Sequence, residues 1–322
     1  MDVLSEVLKA VKLEGAVFFN AEFSAPWCIR SGDSGELAPH LRGRAGHLII
    51  FHFLTEGHAY ARLPAGEREE LEAGDIVVVP HGDVHLLGNG WPEKPVDSVK
   101  TFAKNLADGL KAVRFGGGGE ITRFVCGYLA CDRRLCAALL GGLPRILKVR
   151  VGGDPSGALL EHGIRFSVES AAADPGAGVV LSKLAETLFL ETVRRYISGL
   201  PAEETGWLAG ARDEVVGQAL GLMHRDPAFA WTVAHLARRV GASRTRLAER
   251  FRHYLDESPM AYLARWRLKL GAEMLESSER SVAEVATAVG YASEAAFNRA
   301  FKREFGAPPA QFRRARKMGS AG

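Results

Sequence analysis

The chain has 322 residues, 47% of them hydrophobic and 25% charged, which is typical of a globular protein large enough for two domains. Its net charge of +3 hides an asymmetry, because residues 218–322 hold 18 basic and 10 acidic side chains while the remainder holds 23 and 28. No apolar run approaches the roughly 20 residues of a membrane span, and the N-terminus lacks the basic segment of a secretory signal. We therefore expect a cytoplasmic protein whose C-terminal part suits a polyanionic partner.

The four cysteines do not form a recognisable metal motif. No two of them are separated by two residues, as zinc ligands usually are, so we expect free thiols in a reducing compartment. They are Cys28, Cys126, Cys131 and Cys136.

The first half of the chain has the pattern of a β-rich domain. Residues 2–12 are predicted to form a short helix. Between about residues 15 and 151, short apolar runs alternate with glycine, proline and aspartate, which predicts many short strands in an antiparallel barrel or sandwich. One such stretch runs from Gly74 to Asn89, with a strand, a turn set by Pro80 and Gly82, and a returning strand that carries His85.

A longer helix is predicted over about residues 178–198, where apolar side chains recur at intervals of three and four. This apolar stripe either dimerises the domain or packs on its own barrel, and the sequence leaves both interpretations open. The domain boundary is placed after this helix. We expect an N-terminal domain over residues 1–200, a linker over 201–211 and a C-terminal domain over 212–322.

The C-terminal domain contains one pattern written twice. In each copy a short apolar-faced helix leads to a glycine, a serine and a second helix, and the glycines, Gly241 and Gly290, lie 49 residues apart. Glycine adopts the positive φ of a tight turn, and the serine caps the helix that follows. A long helix starting at Ser258 and Pro259 separates the copies. The pattern predicts two helix-turn-helix units, a geometry that presents a helix to the DNA major groove.

Several stretches around these units resemble the AraC/XylS family of transcription regulators. They are Trp231-Thr232, Gly290-Tyr291, the run from Phe297 to Gly306 and the run from Pro309 to Arg313. The resemblance covers roughly residues 212–316. It implies a homodimeric regulator of transcription, more often an activator than a repressor, that binds double-stranded promoter DNA and, as an activator, RNA polymerase.

The second helix of each unit is expected to face the bases with its first turns. The outward residues are Arg244, Thr245, Ala248 and Glu249 in the first unit and Glu294, Ala295, Asn298 and Arg299 in the second. Because Arg299 can bond guanine at two points and Asn298 can do the same with adenine, we expect the second unit to supply more base-specific energy. Phosphate contacts are expected from Arg250, Arg252, Lys302, Arg303 and Arg313.

The segment from Gly74 to Asn89 also resembles the second motif of cupins, G-x5-P-x-G-x2-H-x3-N, at every fixed position. The first cupin motif is only partly present, because Leu54 replaces its second histidine. The resemblance implies a site for one divalent transition metal, zinc, iron, nickel or copper, in the barrel mouth. The competing interpretation is that the histidines fix turns without metal and that a small organic effector is bound. The candidate ligands are His52, His58, His81 and His85.

Stretches around Trp27, Phe51 and Val125 are similar to the sensor domain of a branch of this family that includes reactive-chlorine-responsive regulators. This makes Cys28 and Cys126 redox candidates, because a thiolate near a cation is reactive, and Arg30 lies two residues from Cys28. The alternative is that both are ordinary buried core thiols.

The sequence therefore predicts a signal-responsive transcription regulator with an α+β fold. An N-terminal cupin-like β-barrel is followed by helices, and a C-terminal all-α domain carries the two helix-turn-helix units. The alternative is a metal-dependent cupin enzyme fused to a DNA-binding module, which needs an occupied metal with an open coordination position. No general base stands out beside the histidines, so no catalytic residue is assigned. A third interpretation is a DNA-architectural protein whose sensor does not respond.

Overall fold

The computed structural model places the described residues in two compact units. One is formed by Lys12–Arg133 and Leu143–Leu200, and the other includes Arg134–Gly142 and Pro201–Gly322. The predicted helix at residues 2–12 lies outside the described part of the chain. No helix in that part is long and apolar enough to cross a membrane. The residues described are 13–40, 47–66, 68–90, 94–102, 112–151, 154–170 and 177–319.

The first unit is built mainly of short strands, as the sequence predicts. The described strands are β1 (Glu14–Ser24), β2 (Trp27–Ser31), β3 (His47–Glu56), β4 (His58–Arg62), β5 (Arg68–Glu72), β6 (Asp75–Val79), β7 (His85–Asn89), β8 (Val96–Asp97), β9 (Ala112–Gly116), β10 (Ile121–Cys131) and β11 (Leu147–Arg150). Its helices are α1 (Ser34–Leu37), α3 (Pro155–Ser170) and α4 (Ala177–Gly199), and α2 (Arg133–Gly141) lies between β10 and β11 in the chain.

These strands form two sheets that share one hydrophobic core. The strand orders are β11-β6-β3-β10-β1-β9 and β5-β4-β7-β2-β8. Phe23 and Phe124 from the first sheet pack in the same cluster as Trp27 and Leu87 from the second. The cupin-like fold expected from the sequence is confirmed as two packed sheets, and in the described strands neither sheet pairs its own two edges.

Helix α4 covers the first sheet with its apolar stripe. Leu181, Leu188, Phe189 and Val193 are all almost fully buried, and the helix packs against β1, β10 and β11. Of the two interpretations that the sequence left open for this stripe, the structure supports packing on the helix's own domain.

The second unit consists of helices. Its C-terminal helices are α5 (Trp207–Arg212), α6 (Glu214–Arg225), α7 (Val233–Arg239), α8 (Arg244–Leu255), α9 (Pro259–Ser277), α10 (Val282–Ala288), α11 (Glu294–Phe305) and α12 (Pro309–Gly319). Residues 201–211 were expected to form a linker, but helix α5 begins within them. Trp207 and Leu208 of this helix are buried in the helical unit. The Trp207 indole N–H also donates to the Tyr262 hydroxyl at 2.9 Å.

Both predicted helix-turn-helix units form as their local sequence dictates. Ser243 Oγ accepts from the backbone N–H of Arg246 at 3.1 Å, and Ser293 Oγ accepts from that of Ala296 at 3.2 Å. These bonds satisfy amide groups that the first turn of a helix leaves unpaired. The apolar pairs spaced four apart on the second helices are buried, as expected for a core-facing stripe. These pairs are Leu247 with Phe251 and Phe297 with Phe301.

Helix α9 joins the cores of the two helix-turn-helix units. Near its start Tyr262 contacts Phe251 of α8 ring to ring, with centroids 6.3 Å apart, and near its end Leu275 packs in one cluster with Phe301 of α11. In the middle, Arg267 donates to the carbonyl oxygens of Pro227 at 2.7 Å and Phe229 at 2.8 Å. The helix and its bonded loop thus hold the two units as one frame.

The two turn glycines are not equivalent in this frame. Gly290 has φ +85° and Gly241 has φ +65°, so both occupy a region that costs a side chain free energy. A Cβ at Gly290 would also lie 2.7 Å from Ala228 Cα and 2.8 Å from its carbonyl oxygen, whereas a Cβ at Gly241 would meet nothing within 4 Å.

We expect Gly290→Ala to lower the free energy of unfolding of the helical C-terminal domain much more than Gly241→Ala does. Gly241→Ala loses only the free energy needed to hold alanine in this backbone conformation, about 1 kcal/mol. Gly290→Ala also pushes the backbone of residue 228 away, and this costs at least about 2 kcal/mol more. Urea unfolding of the full chain, followed by helical circular dichroism, measures both. Equal losses of unfolding free energy in the two variants would show that the contact with Ala228 does not constrain the frame.

Candidate nucleic-acid interface and buried histidine pair

The first turns of α8 and α11 present the eight residues that were expected to face bases. None of the eight is buried, because the core-facing stripes of both helices point the other way. Arg244, Thr245 and Glu249 of α8 are exposed, and Ala248 is half-buried. In α11 the exposed residues are Glu294, Ala295 and Arg299, and Asn298 is half-buried.

Arg250 was expected to contact phosphate, but the structure assigns it to the frame. Its Nε lies 3.0 Å from Asp213 Oδ2, and Asp213 also caps α6 by accepting from the backbone N–H groups of Val215 and Val216. Burial alone would raise the pKa of Asp213, yet the pKa is lowered because Arg250 and these amides stabilise its charge. The Arg250 guanidinium is therefore already bonded to Asp213, 37 residues away in the chain, and its contact with phosphate stays a prediction.

Arg313 is likewise a structural residue. Its Nε donates to the Leu275 carbonyl oxygen at 3.0 Å, and it also bonds the carbonyl of Arg280. These bonds satisfy carbonyl groups around the C-terminal end of α9. The remaining predicted phosphate-binding residues, Arg252, Lys302 and Arg303, are exposed on α8 and α11.

In the strand-rich N-terminal domain, His52 of β3 and His85 of β7 form a buried pair. Their Nε2 atoms are 2.7 Å apart, and the two rings are 2% and 0% exposed. His52 Nδ1 lies 2.9 Å from Cys126 Sγ, since His52 and Cys126 are directly opposite each other in the β3–β10 ladder. His85 Nδ1 lies 2.9 Å from the carbonyl oxygen of Asp83.

These contacts determine where the protons sit. The Asp83 carbonyl can only accept, so His85 carries its proton on Nδ1. Burial lowers the pKa of His85 to about 4, which leaves this ring neutral and its Nε2 an acceptor for the N–H of His52. Burial also lowers the pKa of His52 and raises that of the Cys126 thiol, so the thiol donates to His52 Nδ1. The result is a chain of hydrogen bonds that all point from Cys126 toward Asp83.

The other two candidate ligands do not join this pair. His58 is exposed at the start of β4, where its Nδ1 lies 3.0 Å from Glu120 Oε1, and this hydrogen bond raises its pKa. His81 Nε2 donates to the carbonyl oxygen of Leu143 at 3.2 Å.

The spacing of the histidine pair differs from that of two ligands on the metal that the cupin resemblance implies. Two imidazole ligands of a tetrahedral zinc are held about 3.3 Å apart by Zn–N bonds of about 2.0 to 2.1 Å, which is wider than the 2.7 Å found between His52 and His85. In the described part of the chain, no group of three or more His, Cys, Asp and Glu side chains is arranged to hold a metal. As they are placed, the described residues therefore do not fit a cupin metal centre.

The two redox candidates are both buried. The raised pKa of Cys126 opposes formation of the thiolate that oxidation requires. Tyr60 O–H points to Cys28 Sγ at 3.5 Å, and Arg30 instead pairs with Glu36 at 2.9 Å and Asp97 at 3.3 Å. The cation that suggested an activated Cys28 is thus engaged with carboxylates.

Some residues that position the site were not identified from the sequence. Asp213 could have been found, because an aspartate directly before an apolar helical pattern is a typical N-cap. Arg267 and Arg134 leave no such local signal, since their partners are remote in the chain.

Known protein families match both the strand-rich N-terminal part and the helical C-terminal part of the chain. A family model described as Cupin matches residues 2–198, and one described as Helix-turn-helix domain matches residues 236–315. The Escherichia coli protein RclR, named an RCS-specific HTH-type transcriptional activator, is 30% identical over 315 residues, which are 97% of this chain and 97% of that protein. The HTH-type transcriptional regulator AlkR of Acinetobacter baylyi is 28% identical over 97% of this chain and 99% of its own length.

A protein of Streptomyces antibioticus described as an AraC-like transcription regulator is 32% identical over 84% of this chain and 88% of its own length. These matches confirm the resemblance drawn from the duplicated motif and the cupin motif. The chain belongs to the AraC-like family of helix-turn-helix transcription regulators, as a member with an N-terminal cupin domain and a C-terminal DNA-binding domain.

Proposed function

We propose that this protein is an effector-responsive activator that reads promoter DNA in the cytoplasm with both of its helix-turn-helix units. The observation that carries the proposal is the exposure of the first turns of α8 and α11 on one frame held by α9. Recognition helices of such units enter major-groove segments about 34 Å apart, one turn of duplex. A fixed frame therefore suits a long, asymmetric DNA site.

Base-specific contacts are assigned mainly to α11. Asn298 and Arg299 can each form paired hydrogen bonds with one base, whereas α8 offers Thr245 for a thymine methyl group and Glu249 for cytosine. Lys302 and Arg303 lie one turn further along α11 and are assigned to phosphates.

The cupin domain is proposed to bind a small organic effector. The histidine pair supports this choice over a metal, because it supplies two neutral rings with defined donors and acceptors, and no third ligand stands beside it among the residues that the structure describes. The fused metal-dependent enzyme is not favoured, since the relatives are named as regulators and its metal centre does not fit. We propose no catalytic activity.

A homodimer and contact with RNA polymerase complete the proposal. The dimer contact is assigned to an exposed apolar patch on α3 and α4, which pack together with Gly163 facing Leu184. An isologous dimer covers the same patch on both copies, and exposed clusters of this kind commonly mark protein contacts. The exposed large apolar side chains of these two helices, to which the contact is assigned, are Leu159, Phe166, Val179 and Val180.

Arg299→Ala and Lys302→Ala should affect DNA binding in different ways, although both residues are exposed on the same helix. Loss of Arg299 should cost about 1–3 kcal/mol on a duplex selected by the protein from random sequence, and should relax specificity at one base pair. Loss of Lys302 should weaken binding to all duplexes alike and reduce the slope of log affinity against log salt by about one. Titration of labelled duplexes at several salt concentrations measures both effects. Unchanged selectivity in Arg299→Ala would remove α11 from base recognition.

Elemental analysis of the purified protein should find far less than one equivalent of zinc, iron, nickel or copper. The reason is that His52 and His85 supply two ligand atoms at a spacing too short for the metal. His85→Ala, analysed in parallel, serves as the control. One equivalent of metal that is lost in His85→Ala would overturn the proposal and make the pair a metal centre.

Phe166→Glu should shift the purified protein from dimer to monomer, because it places a charge in the centre of a contact that must exclude water. Sedimentation equilibrium over a range of concentrations measures the dissociation constant. Thr187→Glu adds the same charge at an exposed position of α4 outside the patch and should leave the dimer intact. If both variants remain dimeric, the dimer contact lies elsewhere.

A further inference from the structure

Helix α2 occupies an unusual place in the fold. In the chain it lies between β10 and β11 of the first sheet, within the segment that matches the cupin family model. By its contacts, however, the stretch Arg134–Gly142 belongs to the same compact unit as the DNA-binding helices. A short insertion from the sensor sequence is therefore built into the other unit.

One end of this insertion is bound to the frame of the DNA-binding helices. Arg134 forms two parallel bonds to Glu276 in the last turn of α9, Nη1 to Oε1 at 2.7 Å and Nη2 to Oε2 at 2.5 Å. Both side chains are about three-quarters buried, so solvent screens this pair less than an exposed one.

The same guanidinium also approaches the core of the second helix-turn-helix unit. Its carbon lies 5.6 Å from the centre of the Phe312 ring. Phe312 in turn contacts Phe301 and Phe305 of α11, with ring centroids 5.3 Å and 5.6 Å apart. The Phe312 ring therefore lies between Arg134 and α11, the helix assigned to base recognition.

The residues that follow the other end of the insertion contact the segment that holds the second cupin motif. Leu143 accepts the hydrogen bond of His81, and Arg145 pairs with Asp83 through Nε at 3.1 Å and Nη2 at 2.9 Å. Asp83 is also the residue whose carbonyl ends the hydrogen-bond chain from Cys126 through His52 and His85. Strand β10, which carries Cys126, runs directly into α2.

We propose that α2 is the coupling element of this regulator, which transmits a change at the histidine pair to helix α11 through Arg134, Glu276 and Phe312. Arg134 is a positioning residue in this scheme. The inference rests on the proposed function, since it needs a chain that both senses a signal and binds DNA. Coupling between two binding sites is reciprocal, so DNA binding must in turn alter the segment around residues 81–85 and 143–147. DNA can therefore serve as the probe without knowledge of the effector.

The test is amide hydrogen exchange, read by mass spectrometry on the full chain with and without a duplex selected by the protein. In the wild type, the duplex should change exchange in peptides covering residues 81–85 and 143–147 by at least about threefold. In Arg134→Glu this distant change should vanish, while protection of α8 and α11 by the duplex remains. The double variant Arg134→Glu, Glu276→Arg restores opposite charges and should restore the distant change.

Arg265→Ala is the matched control. It breaks another ion pair of α9, between Arg265 and Glu257, and should leave the distant change intact. The inference is overturned if the wild type shows no change at residues 81–85 and 143–147, or if the change persists in Arg134→Glu. Thermal melting by circular dichroism identifies any variant that fails to fold, and Arg134→Gln, which removes the charge that pairs with Glu276, then takes the place of Arg134→Glu with the same expected loss. Failure of the wild type to select any duplex would instead contradict the proposed function itself.

Discussion

The close approach of Gly290 to the backbone of Ala228 is the constraint on which the DNA-binding unit depends. It brings the turn of the second helix-turn-helix unit against the loop that precedes the first. Arg267 fastens the same loop to α9 through two backbone carbonyls. Because a duplex repeats its groove at a fixed interval, two recognition helices are useful together only if their spacing is equally fixed. The frame supplies that fixed spacing before DNA is bound.

The parts of this unit that could be predicted from sequence are those determined by neighbours in the chain. The glycine turns, the serine caps and the apolar pairs four residues apart all follow from local rules, and they form as predicted. Nothing local distinguishes Arg250 and Arg313, which are bonded to groups of the protein itself, from the exposed Arg252 and Arg303. Their partners, Asp213 and Leu275, are nearly 40 residues away. Whether an arginine is free to meet DNA is decided by tertiary structure.

The sensor domain shows the same division. The strand-turn-strand segment around Pro80 and the position of His85 could be predicted from one motif. The pairing of His85 with His52, and not with His58, depends on how two separate sheets share a core, which no periodicity reveals. The placement of α2 was equally hidden, since Arg134 and Glu276 are 142 residues apart. Local pattern identified the parts, and long-range contacts decided what each part touches.

The hydrogen-bond chain from Cys126 to Asp83 has a fixed polarity, and this polarity constrains any group that could be inserted into it. Under the proposed function, an effector that separated the rings would have to accept the N–H of His52 and donate to the bare nitrogen of His85. A hydroxyl group can do both at once, whereas a carbonyl or carboxylate can only accept. Reversal of the chain would set a bare nitrogen against the Asp83 carbonyl, leaving two acceptors face to face in a dry interior. Any group that joined this chain would therefore have to match the direction of its hydrogen bonds.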